Sequence, residues 1–319
     1  MLKYIVKRIL GLIPVLLCVS VVVFIITRVI PGDPAAVMLG PQATNEAVEA
    51  LRQKLGLEDP LLVQYGRFLL QLIKGDLGIS IAYHQPVINL ILNAFPNTVL
   101  LAFAALLIAT IVAVPVGIIS AVKQYSFFDY FSMTLALVGV SMPVYWLGLM
   151  LVLVFSIKLQ LFPAIGMGSL ENGLGDIISH LVLPSIALST IPMANFARIT
   201  RSSMLEVIRQ DYIRTARAKG LQEWIVIGKH ALKNSMVPLL TVMGMQISMM
   251  LSGAVLTETI FAWPGMGRLI VDAIEKRDFM MVQGGVMFLA FIFVMVNLIV
   301  DILYVWVNPR INYDNKGGK

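Results

Sequence analysis

Six long apolar runs, each free of Asp, Glu, Lys and Arg, punctuate the chain at 9–27, 98–122, 130–157, 177–197, 234–257 and 279–300. About 20 apolar residues in a helix cross the hydrocarbon core of a bilayer. Runs this long satisfy their backbone polar groups in lipid only as helices. The pattern therefore predicts an all-α membrane protein with six transmembrane helices. The first run continues into Arg28 and Pro31-Gly32-Asp33-Pro34 without a small-residue cleavage site, and reads as a span rather than a cleaved leader. Between runs the period shortens. In 31–97, Val48, Leu51 and Leu55 share one face of a helix over Asn45 to Leu55, with Glu46, Glu49 and Arg52 opposite and Gly56 as its C-cap. Asp59 and Pro60 then supply an N-cap and a first-turn proline for a second amphipathic helix striped by Leu62, Tyr65, Leu69 and Leu72 and ending near Gly75. Three segments follow: 1–97, the first span with an amphipathic outer portion; 98–308, a five-helix core with its longest inner loop at 198–235; and a tail, 309–319.

Composition agrees with the pattern. The 319 residues are 58% hydrophobic and 13% charged, against about 25% charged in soluble domains. The net charge of +6 raises the question of nucleic acid, and its distribution answers it. With the N-terminus placed inside, the inner segments carry fifteen basic residues against five acids, and the outer segments nine against twelve. That asymmetry places both termini in the cytoplasm and leaves no basic excess calling for a nucleic-acid partner. Cys18 is the single cysteine, so no disulfide framework or cysteine metal cluster exists. His84, His180 and His230 are scattered, with no metal-ligand spacing.

Proton- or ion-driven carriers need acidic or histidine relays inside the membrane; here Asp301 is the carboxylate lying within a span, and reads as a paired structural group. No phosphate-cradling loop or nucleophile elbow is present, so no catalytic residue is assigned. What the spans do carry is packing and bending chemistry: Gly244, Ser248 and Ser252 recur every four residues, and Pro115, Pro143 and Pro192 interrupt spans two, three and four.

The inner loop holds the sharpest signal, DYIRTARAKG at 211–220. Asp211 is placed to cap a short helix bearing Tyr212, Ile213, Arg214, Thr215, Ala216, Arg217, Ala218 and Lys219, with Gly220 as a left-handed stop. A second short helix follows, with Trp224, Ile227 and Leu232 as apolar contacts. Small residues at 215, 216 and 218 make a slim helix suited to a groove on another protein; the arginines alone fit an inner loop touching anionic lipid headgroups equally well.

Arg214-Thr215-Ala216, three residues, then Gly220, followed by His230-Ala231-Leu232-Lys233-Asn234, resembles the cytoplasmic loop of binding-protein-dependent ABC permeases, in the form found in the peptide and nickel branch. The generic loop has Glu, Ala, Ile and Pro where this chain has Arg214, Thr215, His230 and Lys233. PGDP at 31–34, GDLGIS at 75–80, SMPVYW at 141–146, TETIFAWPGMGR at 257–268 and NPRI at 308–311 extend the resemblance over nearly the whole chain.

The resemblance implies a type I ABC importer permease fold in which a second homologous permease subunit completes the path. Two cytoplasmic ATPases would grip the loop, with ATP and Mg²⁺ on those partners and no cofactor on this chain. An external solute-binding protein would deliver a di- or oligopeptide. Residues 211–220 would be the coupling helix. Glu258, Trp263, Pro264 and Arg268 would lie near the outer mouth, as gate, docking element or loop framework. Nickel chelate, glutathione and haem remain alternative cargoes, and a scaffold or sensor without a path an alternative class.

Overall fold

The computed structural model describes residues 2–29, 33–40 and 42–307. The NPRI run, the tail 309–319 and the Pro31-Gly32 half of PGDP therefore lie outside the described residues. Within them the chain is helical: α1 (Leu2–Val29), α2 (Pro34–Leu39), α3 (Asn45–Leu55), α4 (Leu61–Ile73), α5 (Val87–Val122), α6 (Phe127–Ser141), α7 (Val144–Leu151), α8 (Leu174–Ile208), α9 (Asp211–Ala218), α10 (Glu223–Ile225), α11 (Leu232–Gly253), α12 (Val255–Ile260), α13 (Met266–Glu275) and α14 (Phe279–Val307). Five helices are long and apolar enough to cross a membrane, six if α6 and the Val144–Lys158 segment form one broken span. Only 17% of the α1 window is buried inside the protein, which leaves the rest of its apolar surface for lipid or partner helices.

The chain forms two compact units, Met1–Thr98 with Pro264–Val294, and Val99–Trp263 with Met295–Lys319. In the first, α3 has the predicted limits, capped by Thr44 at one end and by Gly56 at φ +66° at the other. The left-handed conformation is what favours glycine at 56; a Cβ there would also displace the flexible end of the Arg67 side chain. The next helix departs from expectation. It starts at Leu61, after Pro60, and Asp59 makes no cap; its carboxylate instead pairs with Arg67 at 2.6 Å. Leu62 is 85% exposed, while Phe68 is buried with Val23 and Phe24 of α1 and Met287 of α14. Tyr65 joins this contact edge-on to Phe24, with its hydroxyl 2.8 Å from Ser20 Oγ. The register therefore turns on aromatic partners in α1 that a count of leucines does not see.

In the second unit α8 is the central post, touching α6, α7, α11 and α12. Ala109 and Ala113 of α5 pack with Phe196 and Ala197 of α8 and Leu239 of α11. Gly117 lets α5 approach α8 closely: a Cβ there would sit 2.6 Å from Thr200 Cβ and 2.7 Å from the Ala197 carbonyl oxygen. Gly244 does the same for α11, where a Cβ would overlap Val300 of α14, and Ser248 is buried one turn on. The side chain of Ser252, third in that row, lies outside the described residues.

The expected third span is not one bent helix. It breaks at Met142-Pro143, where the axis turns by 104°. Pro143 cannot donate a helical hydrogen bond and pushes the residue before it out of the α region; Met142 accordingly adopts φ −77°, ψ 129°. SMPVYW is the sequence of this break, with Tyr145 and Trp146 about half exposed just beyond it. The expected short helix after Gly220 is also different. Glu223–Leu251 runs continuously, through a wide π turn at Val226–Ala231, so its start is the end of the fifth long helix.

The close approach at Gly117 gives a direct test. Gly117→Ala must push α8 away and should cost about 1–3 kcal/mol. Gly11→Ala, where a Cβ meets nothing within 4 Å, should be neutral or slightly stabilising. Thermal unfolding of the two detergent-solubilised variants against wild type measures the difference.

Candidate functional site

Helix α9 is short, and its two apolar positions, Ile213 and Ala216, lie three residues apart on one face. Both are buried against Ala121 at the end of α5, Met204 of α8, and Val226 and Ala231 of the π turn. Ser235 Oγ lies 3.0 Å from Met204 Sδ, and Asn234 Nδ2 donates to the Tyr212 hydroxyl at 2.8 Å. The helix is thus seated on the ends of three long helices.

Its termini are built differently at each end. Asp211 is the first helical residue rather than the cap; Gln210 holds the cap position without a side-chain hydrogen bond. Asp211 is almost fully exposed and pairs with Arg214 at 3.5 Å. At the far end Gly220 takes φ +76°. Its N–H donates to the Arg217 carbonyl at 2.9 Å, and the Leu221 N–H donates to the Ala216 carbonyl at 3.4 Å. That pair of bonds is a Schellman closure, which needs a residue comfortable at positive φ. Arg217 is turned along the chain: its guanidinium makes two hydrogen bonds to the Glu223 carboxylate, at 3.1 and 2.6 Å, and the first cause of its raised pKa is that contact.

Of the basic stretch, the outward face comprises Arg214, Thr215, Ala218, Lys219 and Gly220, extended by Leu221 and by Trp224, which is 72% exposed. Trp224 is not the internal apolar contact expected for it, and Ala216 faces inward rather than toward a groove. Ile213, expected on this helix but given no role of its own, is what seats it, and its spacing from Ala216 carries the signal.

Glu258, Trp263, Pro264 and Arg268 fall in different units and are described with their own. In the second unit, Thr257, Glu258, Phe261 and Trp263 are fully buried around α12, and the Trp263 N–H donates to the Glu258 carbonyl at 2.8 Å. Ala262 bridges them at φ +48°. In the first unit, the Pro264 carbonyl accepts from Asn97 Nδ2 at 2.8 Å, and the Met266 N–H donates to Thr98 Oγ1 at 2.8 Å. Arg268 lies 3.9 Å from Asp272 and lines an open cleft of about 370 Å³ with Asn93, Asn97 and Leu269.

The last residue of GDLGIS, Ser80, holds a buried acid. Asp278, fully buried, accepts hydrogen bonds from the Ser80 hydroxyl, the Ala82 N–H at 3.1 Å and the Met281 N–H at 3.1 Å. It ties the loop after α4 to the first turn of α14. Lys276 covers the Tyr83 ring at 4.3 Å. Among the described residues no group of three or more His, Cys, Asp or Glu is placed to hold a metal ion.

A short basic helix seated on the ends of three membrane-length helices belongs to a multi-pass membrane protein. Comparison with known proteins agrees. Residues 113–313 match the family described as binding-protein-dependent transport system inner membrane component, and residues 1–102 match its N-terminal family. The chain belongs to this family. It is 47% identical to the dipeptide transport system permease protein DppB of Alkalihalophilus pseudofirmus over 98% of this chain and all of that protein. It is 41% identical to the glutathione transport system permease protein GsiC of Escherichia coli, again over 98% of this chain and all of the relative. In fold it is similar to an inward-facing structure of the MetNI methionine ABC transporter, with TM-score 0.56 and 15% identity over 69% of this chain and 96% of that one. The fold is that of a type I ABC importer permease, and the chain is a non-catalytic membrane subunit whose ATP-hydrolysing machinery lies in partner subunits.

Seating through Ile213 predicts the effect of removing it. Ile213→Ser deletes most of a buried aliphatic side chain and should weaken the seat by about 2–3 kcal/mol. Hydrogen exchange across 211–221 should then accelerate by one to two orders of magnitude, while the long helices keep wild-type protection; exchange mass spectrometry on the solubilised variant reads both.

Proposed function

We propose that this chain is the permease subunit of an ATP-driven importer of di- and oligopeptides. It would receive its substrate from an extracytoplasmic binding protein and form the path with a second, homologous permease subunit. The observation that carries the reading is the 47% identity to a dipeptide permease along essentially the entire length of both chains. The basic excess of 198–235 puts α9 and both termini on the cytoplasmic side. There α9 is the coupling helix. Asp211, Arg214, Thr215, Ala218, Lys219 and Gly220 meet a groove on one of two ATPases, which hold ATP and Mg²⁺. Tyr212, Ala216 and Arg217 keep α9 on the bundle. ATP-driven closure of the ATPases then moves the helices on which α9 is seated, exchanging inward- and outward-open states. On the outer side, Pro264 is exposed and Arg268 partly so, which leaves these two accessible for docking the binding protein, while buried Glu258 and Trp263 serve the framework of the mouth.

Glutathione is the second reading, favoured by the 41% identical relative. It is itself a small peptide with free carboxylates and an ammonium group, so the two cargoes share chemistry.

Two outcomes are expected of the reconstituted complex with its cognate binding protein. A dipeptide should be taken up in an ATP-dependent manner and an excess of glutathione should compete poorly; preferential uptake of glutathione selects the second reading, and uptake of neither, with binding protein loaded, removes both. Gly220→Trp should abolish uptake while leaving the subunit in the membrane, because a bulky side chain is strained at its φ of +76° and the bulk falls on the outward face. Uptake at the wild-type rate would overturn the assignment of 211–220.

A further inference from the structure

Asp129 stands in the first turn of α6, with its side chain 2% exposed. Arg201 of α8 addresses it with both arms of the guanidinium, Nε to Oδ1 at 2.6 Å and Nη2 to Oδ2 at 2.7 Å. The Tyr125 N–H donates to Oδ2 at 3.0 Å, and the Asp129 N–H donates to Ser126 Oγ at 3.2 Å. A fork-to-carboxylate pair fixes both distance and rotation, which apolar contact does not.

Its location gives it consequence. Arg201 lies one turn before Met204, the α8 residue on which Ile213 and Ala216 of α9 rest. The buried cluster under α9 draws on α5, α8 and the start of the fifth long helix, and contains no residue of α6. At its other end α6 is uncoupled from α7 by the 104° break at Pro143. Displacement of α9 therefore reaches α5, α8 and α11 by direct packing; α6 packs along α8 as well, and Arg201 adds a bidentate grip that fixes the rotation of its first turn.

We propose that Asp129 and Arg201 are positioning residues of the transport cycle. They carry the movement of the coupling helix into α6, so that the half-helix before the Pro143 break travels with α8 rather than pivoting about it. This rests on the proposed function.

The test uses the full complex in proteoliposomes, with binding protein and a dipeptide, for D129N, R201Q, D129N/R201Q, R201K and the swap D129R/R201D. Assembled complex, ATP hydrolysis and peptide transported per ATP are measured together. Assembly and hydrolysis within about twofold of wild type, with transport per ATP reduced at least tenfold in the neutral variants, is the expected result. R201K, which keeps the charge but loses the fork, should fall between, and the swap should recover at least a third of the lost coupling. Transport per ATP within twofold of wild type in the assembled double variant overturns the proposal. So does a parallel loss of hydrolysis and transport, which marks a purely structural pair, and so does an assembled swap without recovery. If the neutral variants do not assemble, R201K decides: unchanged transport per ATP in it overturns the proposal. A wild-type complex that hydrolyses ATP without moving peptide sinks the functional reading instead, and is told apart because it fails before any substitution is made.

Discussion

A helix of eight residues is too short to persist in water on its own hydrogen bonds. Order in α9 comes from elsewhere. Ile213 and Ala216 are buried on a floor made by three longer helices, and Gly220 closes the last turn. Only because that seat exists can the opposite face present Arg214, Lys219 and Leu221 in a fixed arrangement. Every functional statement about the loop depends on this division of one small helix into a buried face and a presented one. The arginines divide in the same way: Arg217 is spent on Glu223 and stiffens the exit from α9, while Arg214, beside fully solvated Asp211, is held loosely. An exposed pair of that kind contributes little to stability, so its charge remains usable by a partner surface.

The second unit separates smooth contacts from directional ones along its helices. Through the middle of α5, Ala102, Ala105, Ala109 and Ala113 are all buried, and Gly117 follows before the helix ends. Small residues allow close approach without interlocking side chains, so such a face sets how near two helices come and resists sliding weakly. Toward the ends of α5 and α8 the contacts change character: Asp129 with Arg201, Arg209 with Gln124 at 3.2 Å, Ser235 with Met204. Hydrogen-bonded ends with smooth middles let helices tilt about their lengths while their ends stay in register, which suits a rocking motion better than a melting one.

The six apolar runs and the charge asymmetry were legible because lipid imposes a harsh and local rule on composition. The limits of α3 were legible for a similar reason, since a capping threonine, an amphipathic period and a glycine stop are all local. Errors arose where a tertiary partner overrode a local rule. Asp59 looks like a cap until Arg67, two turns into the same helix, takes its carboxylate. Leu62 looks like a core position until Tyr65 and Phe68 meet Phe24. The second short helix expected after Gly220 instead runs on into the next long helix, because backbone continuity through a π turn does not require apolar side chains. Asp129 with Arg201, 72 residues apart, and Ser80 with Asp278, 198 apart, had no local signature at all.

Those long-range carboxylates also explain why the motif stretches recognised in sequence differ in what they do. SMPVYW is a backbone device, in which Pro143 follows an extended Met142 at the break, whereas Pro184, Pro192 and Pro238 lie inside continuous helices. GDLGIS contributes the Ser80 hydroxyl to the cradle of one buried acid, Asp278, whose oxygens also accept from the Ala82 and Met281 main-chain N–H groups. Leaving any of those donors without an acceptor in a buried site would cost about 1–3 kcal/mol each, so the loop and the start of α14 constrain one another strongly. The 211–220 stretch is the one whose exposed face has no internal partner in proportion to its order. Order maintained at the surface, without internal reward for the residues displayed, is what a docking element requires, and it is the physical reason that the proposed coupling role falls on α9 rather than on the loops on either side.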